Sequence, residues 1–144
     1  MNYMDLELYR WKYHHDIYLP SIKKYTSAID IWWQEYGAFV STVPRQSGKT
    51  NMLGKLAYIF DSRNEYFMVV VPTQKYVKAF VNRTGVDRMR VTAATSMYDR
   101  CFDGIRTRDI HLLIDEYQRV DKPAIRELLN HDWKTVTMAG TMLV

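Results

Sequence analysis

Three short stretches of this chain carry residue types that can handle phosphate. Gly48-Lys49-Thr50, at the head of an apolar-faced segment, puts backbone N–H groups, an ammonium and a hydroxyl around one small volume. A helix N-terminus favours an anion there. Lys49 is placed to reach β- and γ-phosphates, and the Thr50 hydroxyl to ligate Mg²⁺. Asp115-Glu116 ends the apolar run Leu112-Leu113-Ile114. A carboxylate pair at the end of a buried strand suits metal binding by Asp115 and activation of water by Glu116. Ala139-Gly140-Thr141 ends a third strand-like run, from Lys134, in a hydroxyl that can meet a γ-phosphate or an attacking water. A plain strand followed by a glycine turn is the alternative for that run.

These residues need elements to hold them. Gly37 to Val43 is strand-like, and Pro44 cannot continue a central strand. Met52, Leu53, Leu56, Ala57, Ile59 and Phe60 recur at helical spacing, predicting a helix over about 48–60. Strand, tight loop and helix is the context a phosphate loop requires. The loop pattern G-x-x-x-x-G-K-[ST] is incomplete, because Val43 stands where its first glycine falls.

Further strands are expected at about 66–71, 90–92, 110–115 and 135–139. Pro72-Thr73 opens a helix to about 83, a weak helix lies near 95–101, and Pro123 suits the first turn of another. Strands alternating with helices predict an α/β fold with a mostly parallel sheet. Residues 1–36 read as an N-terminal helical region, about 4–16 and 21–35, divided at Pro20 and packed on a core of residues 37–144. Ile22, Tyr25, Ile29, Trp32 and Trp33 give it an apolar side that suits packing against the sheet; base stacking is the alternative reading. Tyr25 or a neighbour is a candidate for contact with a nucleobase.

The motifs together, Pro44-Arg45-Gln46-Ser47-Gly48-Lys49-Thr50, Leu113-Ile114-Asp115-Glu116 and Ala139-Gly140-Thr141, resemble the ATPase domain of tailed-phage terminase large subunits. That family belongs to the helicase-like P-loop ATPases with an additional catalytic glutamate. Its members carry an arginine in this loop and often lack the first glycine, as here. Val69 to Gln74 is similar to the strand and turn after the family's first helix, and Glu116-Tyr117-Gln118 looks like a D-E-x-Q form of the helicase box.

The resemblance spans about residues 37–141. It implies a three-layer P-loop sandwich, with ATP and Mg²⁺ as ligands. Arg45, Gln46, Ser47, Gly48, Lys49 and Thr50 would cradle the nucleotide, and Thr50 and Asp115 would hold the metal. Glu116, Arg45, Lys49 and Thr141 would be catalytic, with Arg45 acting in cis on the γ-phosphate. It also places strand 135–139 between strands 38–43 and 110–115. Gln34 lies nearer the loop than the family's adenine-reading glutamine.

The implied activity is DNA packaging or translocation driven by ATP hydrolysis. Duplex DNA, a second copy of the chain or other packaging subunits are the expected partners, and the host cytoplasm is the expected location. The alternatives are a helicase-like remodeller and a shortened nucleotide-binding protein with little turnover. With 144 residues there is no room for the family's nuclease domain, so the chain reads as a fragment or a minimal relative.

Composition sets looser bounds. A single cysteine, Cys101, excludes an internal disulfide framework. No apolar run is long enough for a membrane span, and no Cys/His spacing suggests zinc. His14-His15 beside Asp16 reads as a polar surface feature. The net charge of +4 is compatible with nucleic acid. Residues 83–108 hold six arginines diluted by Asp87, Asp99 and Asp103. A mixed, solvated surface is the reading there, with a DNA-backbone or subunit patch as the alternative.

Overall fold

The computed structural model describes residues 3–25, 27–44, 48–97, 102 and 104–142. Among them, five strands form one parallel sheet: β1 (Phe39–Val43), β2 (Tyr66–Val71), β3 (Val91–Ala93), β4 (Ile110–Asp115) and β5 (Thr135–Thr141). Their order is β1-β5-β4-β2-β3, so β5 lies between β1 and β4, as expected. Register aligns Val43 with Thr141 and Asp115 with Ala139, bringing the C-terminal ends of these three strands side by side.

Helices cover both faces. Along β2, Val69 and Val71 join one apolar cluster while Val70 joins the other; along β4, Leu113 joins the first and Leu112 and Ile114 the second. This two-sided burial is why both strands are uninterrupted apolar runs. On the first face lie α1 (Tyr3–Tyr13), α3 (Lys49–Ser62) and α4 (Gln74–Thr84). Their Trp11, Leu53, Leu56, Phe60, Val77 and Phe80 are buried there. On the second lie α2 (Ile29–Trp32) and α5 (Lys122–Leu129), with Trp32, Trp33, Leu128 and Leu129.

The N-terminal region differs from expectation at Pro20. The first helix does not stop there. It widens into a π turn over His14–Tyr18 and ends with Leu19–Ser21. Pro20 has no N–H to donate and its ring crowds the preceding turn, so it sits where a helix is about to end rather than where one begins. A second π turn, Trp33–Gly37, closes α2 just before β1. Gly37 is required there, because a Cβ would lie 1.9 Å from the Trp32 ring.

The weak helix expected near 95–101 is a single 3₁₀ turn, Ala94–Ser96, after which Met97 is extended; residues 98–101 lie outside the described residues. A stretch with one turn of 3₁₀ geometry has too few hydrogen bonds to propagate a helix.

All four tryptophans are core residues, and each indole N–H has an acceptor. Trp11 donates to Thr137 Oγ1, Trp32 to the Lys23 carbonyl, Trp33 to the His131 carbonyl and Trp133 to the Leu128 carbonyl. Packing against the sheet, not base stacking, is the use made of them. His14 is not the solvated surface group expected from its sequence context. It packs against Phe39 and Tyr18, and burial lowers its pKa to about 4.

Candidate active site

The candidate residues meet at the C-terminal edge of the sheet, over β1, β5 and β4. Gly48 begins the arrangement. Its φ of +87° is a left-handed conformation that glycine adopts freely, and it turns the chain from the loop into α3. The first N–H groups of α3 have no acceptor within the helix and point toward this edge. Arg45, Gln46 and Ser47 lie outside the described residues.

Lys49 and Thr50 then face β4. The Thr50 hydroxyl donates to Asp115 Oδ2 at 3.0 Å. Asp115 is buried at the end of β4 on the same sheet face as α3. Burial raises its pKa, and the Lys49 ammonium and the Thr50 hydroxyl oppose that rise. The Lys49 ammonium lies 2.5 Å from Glu116 Oε1, with both side chains largely enclosed. Glu116 Oε1 also accepts a long 3.4 Å hydrogen bond from the Thr141 hydroxyl. Thus the three stretches singled out by sequence form one contiguous polar cluster.

The backbone holds Glu116 under strain. Its φ and ψ of 51° and 46° are left-handed, which is uncommon for a residue with a side chain. The Glu116 N–H donates to Asp115 Oδ1 at 3.0 Å, tying the two carboxylates into one turn. A 3₁₀ turn, Tyr117–Arg119, follows at once.

From that turn Gln118 reaches across to β5, where its Oε1 accepts the Thr141 N–H at 2.9 Å. Gly140 permits the approach: a Cβ there would stand 2.6 Å from both Gln118 Oε1 and Tyr117 Cε1. The D-E-x-Q spacing drew attention to Gln118, but its bond to β5 depends on strand order and could not be read from spacing.

The cluster suits a magnesium–nucleotide complex. Thr50 and Asp115 offer hard oxygen donors side by side, and Mg²⁺ takes one or two such ligands with phosphate oxygens and waters. Lys49 already holds an anion, the Glu116 carboxylate, where a phosphate would compete. Among the described residues no group of three or more His, Cys, Asp or Glu could hold a metal ion. A site of this kind needs no such group.

Neither Tyr25, the candidate for nucleobase contact, nor Gln34, which departs from the family's spacing, belongs here. Gln34 sits in the π turn before β1, so the five residues of β1 separate it from the phosphate-loop edge. Tyr25 hydrogen-bonds Asp132, just before β5, which is again the opposite edge of the sheet.

Sequence reasoning missed how α1 is tied to this region. Glu7 is buried and accepts from the Ser41 hydroxyl of β1 at 2.6 Å and from Arg10 at 2.7 Å. Met4 packs beside Gly48. A buried carboxylate in an N-terminal helix was the available signal, but its partner on β1 is set only by docking. Compared with models of known protein families and with curated proteins, the chain matches none, so the reading rests on this geometry.

Proposed function

We propose that the chain is a Mg²⁺-dependent ATP-binding and hydrolysing domain with a P-loop fold, of the terminase-like kind, coupling hydrolysis to the packaging or translocation of duplex DNA. One observation carries the reading. Lys49 and Thr50 at the head of α3, Asp115 and Glu116 at the end of β4, and Thr141 at the end of β5 converge at one sheet edge. The insertion of β5 between β1 and β4 supports the additional-glutamate class in particular.

In this reading Lys49 and the α3 N–H groups hold the phosphates, and Thr50 and Asp115 hold the metal. Bound Mg²⁺ supplies charge neutralisation on the β- and γ-phosphates. When phosphate takes Lys49, the Glu116 carboxylate is released from its ion pair. It can then accept a proton from a water aligned on the γ-phosphorus. Thr141, bonded to Glu116 by its hydroxyl and to Gln118 by its N–H, lies where loss of the γ-phosphate is felt. Arg45 would stabilise the charge that grows on the transferred group.

A steady-state ATPase assay with and without duplex DNA tests the proposal. Magnesium-dependent hydrolysis that rises with duplex DNA is the expected result. Hydrolysis stimulated only by single strands would favour the helicase-like reading. Nucleotide binding without turnover would favour a nucleotide-binding protein.

A further inference from the structure

We propose that a groove between α4 and the β3 side of the sheet binds the phosphodiester backbone of duplex DNA. The proposal rests on the nucleic-acid half of the function above and assigns it a surface. The groove has a volume of about 350 Å³ and is lined by Gln74, Val77, Lys78, Val81, Asn82 and Arg88. Its floor is apolar, its rim holds two cations and two amides, and no carboxylate lines it among the described residues.

Gln74, Lys78 and Asn82 recur every four residues, so they stand about 6 Å apart along one side of α4. The exposed side of that helix adds Lys75 and Arg83 and carries no acid. No carboxylate pairs with Lys75, Lys78, Arg83 or Arg88 among the described residues. Asp87 is the nearest acid in sequence, and its carboxylate turns back to accept the Met89 N–H.

Two further facts make this more than a solvated basic helix. The rim is organised: Gln74 donates to Ser96 Oγ at 2.7 Å and accepts from Arg88 at 3.4 Å, while Arg88 also reaches the Val91 carbonyl. Arg88, though exposed, makes these contacts on the same groove rim as Lys78. The location is also suitable. The N-terminus of α4 stands at the same sheet edge as Lys49 and Asp115, and β3 lies two strand spacings, about 10 Å, from β4. A polymer seated here runs beside the hydrolytic site. A ladder of cations and amides without base-reading geometry recognises phosphate rather than sequence.

The test measures binding of a short fluorescent duplex by anisotropy, without nucleotide, across a salt series. Lys78→Glu/Arg88→Glu is compared with Lys122→Glu/Arg126→Glu, an equal charge change on α5 across the sheet. Lys75→Glu/Lys78→Glu removes no hydrogen bond and guards against a local folding defect. The expected result is a loss of about tenfold or more for both α4 pairs, with the salt slope reduced by about two. The α5 pair should lose little.

Wild-type affinity in either α4 pair, or an equal loss in the α5 pair, overturns the proposal. So does equally tight binding of polyglutamate, which would point to an acidic protein. Basal ATP hydrolysis is read on the same samples. Loss of DNA binding with basal hydrolysis retained supports the groove. Basal hydrolysis with no duplex binding by the wild type sinks the groove and leaves the nucleotide site standing.

Discussion

Lys49 and Glu116 form an ion pair, which in the proposed mechanism must open before hydrolysis can begin. The pair fixes what each substitution should do. Lys49→Ala removes a charge-assisted contact to ground-state phosphates, so nucleotide affinity should fall about tenfold or more. Glu116→Gln keeps the shape and removes the base, so binding should persist while turnover falls about 10²–10⁴-fold. Isothermal calorimetry and steady-state rates separate the two; parental turnover by Glu116→Gln would remove its assigned role. Arg45 starts from the loop that would cradle the nucleotide, so a cis role is expected. Arg45→Ala should lower the rate with little change in affinity. Mixing it with Glu116→Gln should restore nothing, because each subunit carries a defect at its own site. Recovery on mixing would mean that the arginine serves a neighbouring chain. These residues could be read from sequence because their chemistry is local: Gly48, Lys49 and Thr50 are adjacent, as are Asp115 and Glu116. Gln34 and Tyr25 could not be placed, because which sheet edge they occupy depends on the folding of residues 22–38.

At the scale of elements, the turn after β4 and the end of β5 act as one piece. Gly140 is the contact that allows it. A methyl group at that position meets Gln118 and Tyr117, and overpacking of this kind costs about 1–3 kcal/mol. Gly140→Ala should therefore lower the urea midpoint. It should also lower kcat with nucleotide affinity kept, since Gln118 is pushed from the Thr141 N–H while Lys49 and Thr50 are untouched. A kcat equal to the parent's would show that the Gln118 bridge is structural only. The strands themselves were readable, β2 and β4 to the residue, because two-sided burial writes uninterrupted apolar runs. The π turns were not. They widen the helix by one residue per turn at His14–Tyr18 and Trp33–Gly37, which hydrophobic periodicity does not encode.

Across the whole molecule the edge opposite the site holds a second polar cluster. His111 is buried and stacks on Phe60 at 3.8 Å. Its Nδ1 accepts from Thr135 and its Nε2 donates to Glu65, which Lys134 also contacts. A neutral ring satisfies both bonds. Burial pushes the His111 pKa down to about 4, and this outweighs the attraction of Glu65. Burial would raise Glu65, but hydrogen bonds from His111 and Lys134 outweigh it and bring it to about 2.

Both shifts mean that the unfolded chain takes up protons first as the solution is acidified. Stability is complete above the unfolded histidine value of 6.5 and falls toward pH 4. Glu65 continues the loss from its unfolded value of 4.5 down to about 2. Between about pH 7.5 and pH 5, His111 alone should remove about 2 kcal/mol. Urea unfolding at the two pH values checks this, and equal midpoints would refute it. The membrane expectation concerns the same scale: among the described residues no helix is long and apolar enough to cross a membrane.

The position of β5 has a consequence for how the chain folds. In the described sheet β1 has one neighbour, β5, and the two are separated by about ninety residues of chain. Until β5 is available, β1 has no strand to pair with, and the Gly48 turn hangs from an unanchored end. The β2, β3 and β4 strands can pair among themselves beforehand. Closing the long loop is therefore the slow event, since non-local pairing must overcome its entropy before any contact rewards it. The same insertion that sets Thr141 beside Glu116 makes assembly of the candidate site coincide with completion of the sheet. A partly synthesised chain would hold the lysine and both carboxylates, yet lack the strand that joins β1 to the rest of the sheet and carries Thr141.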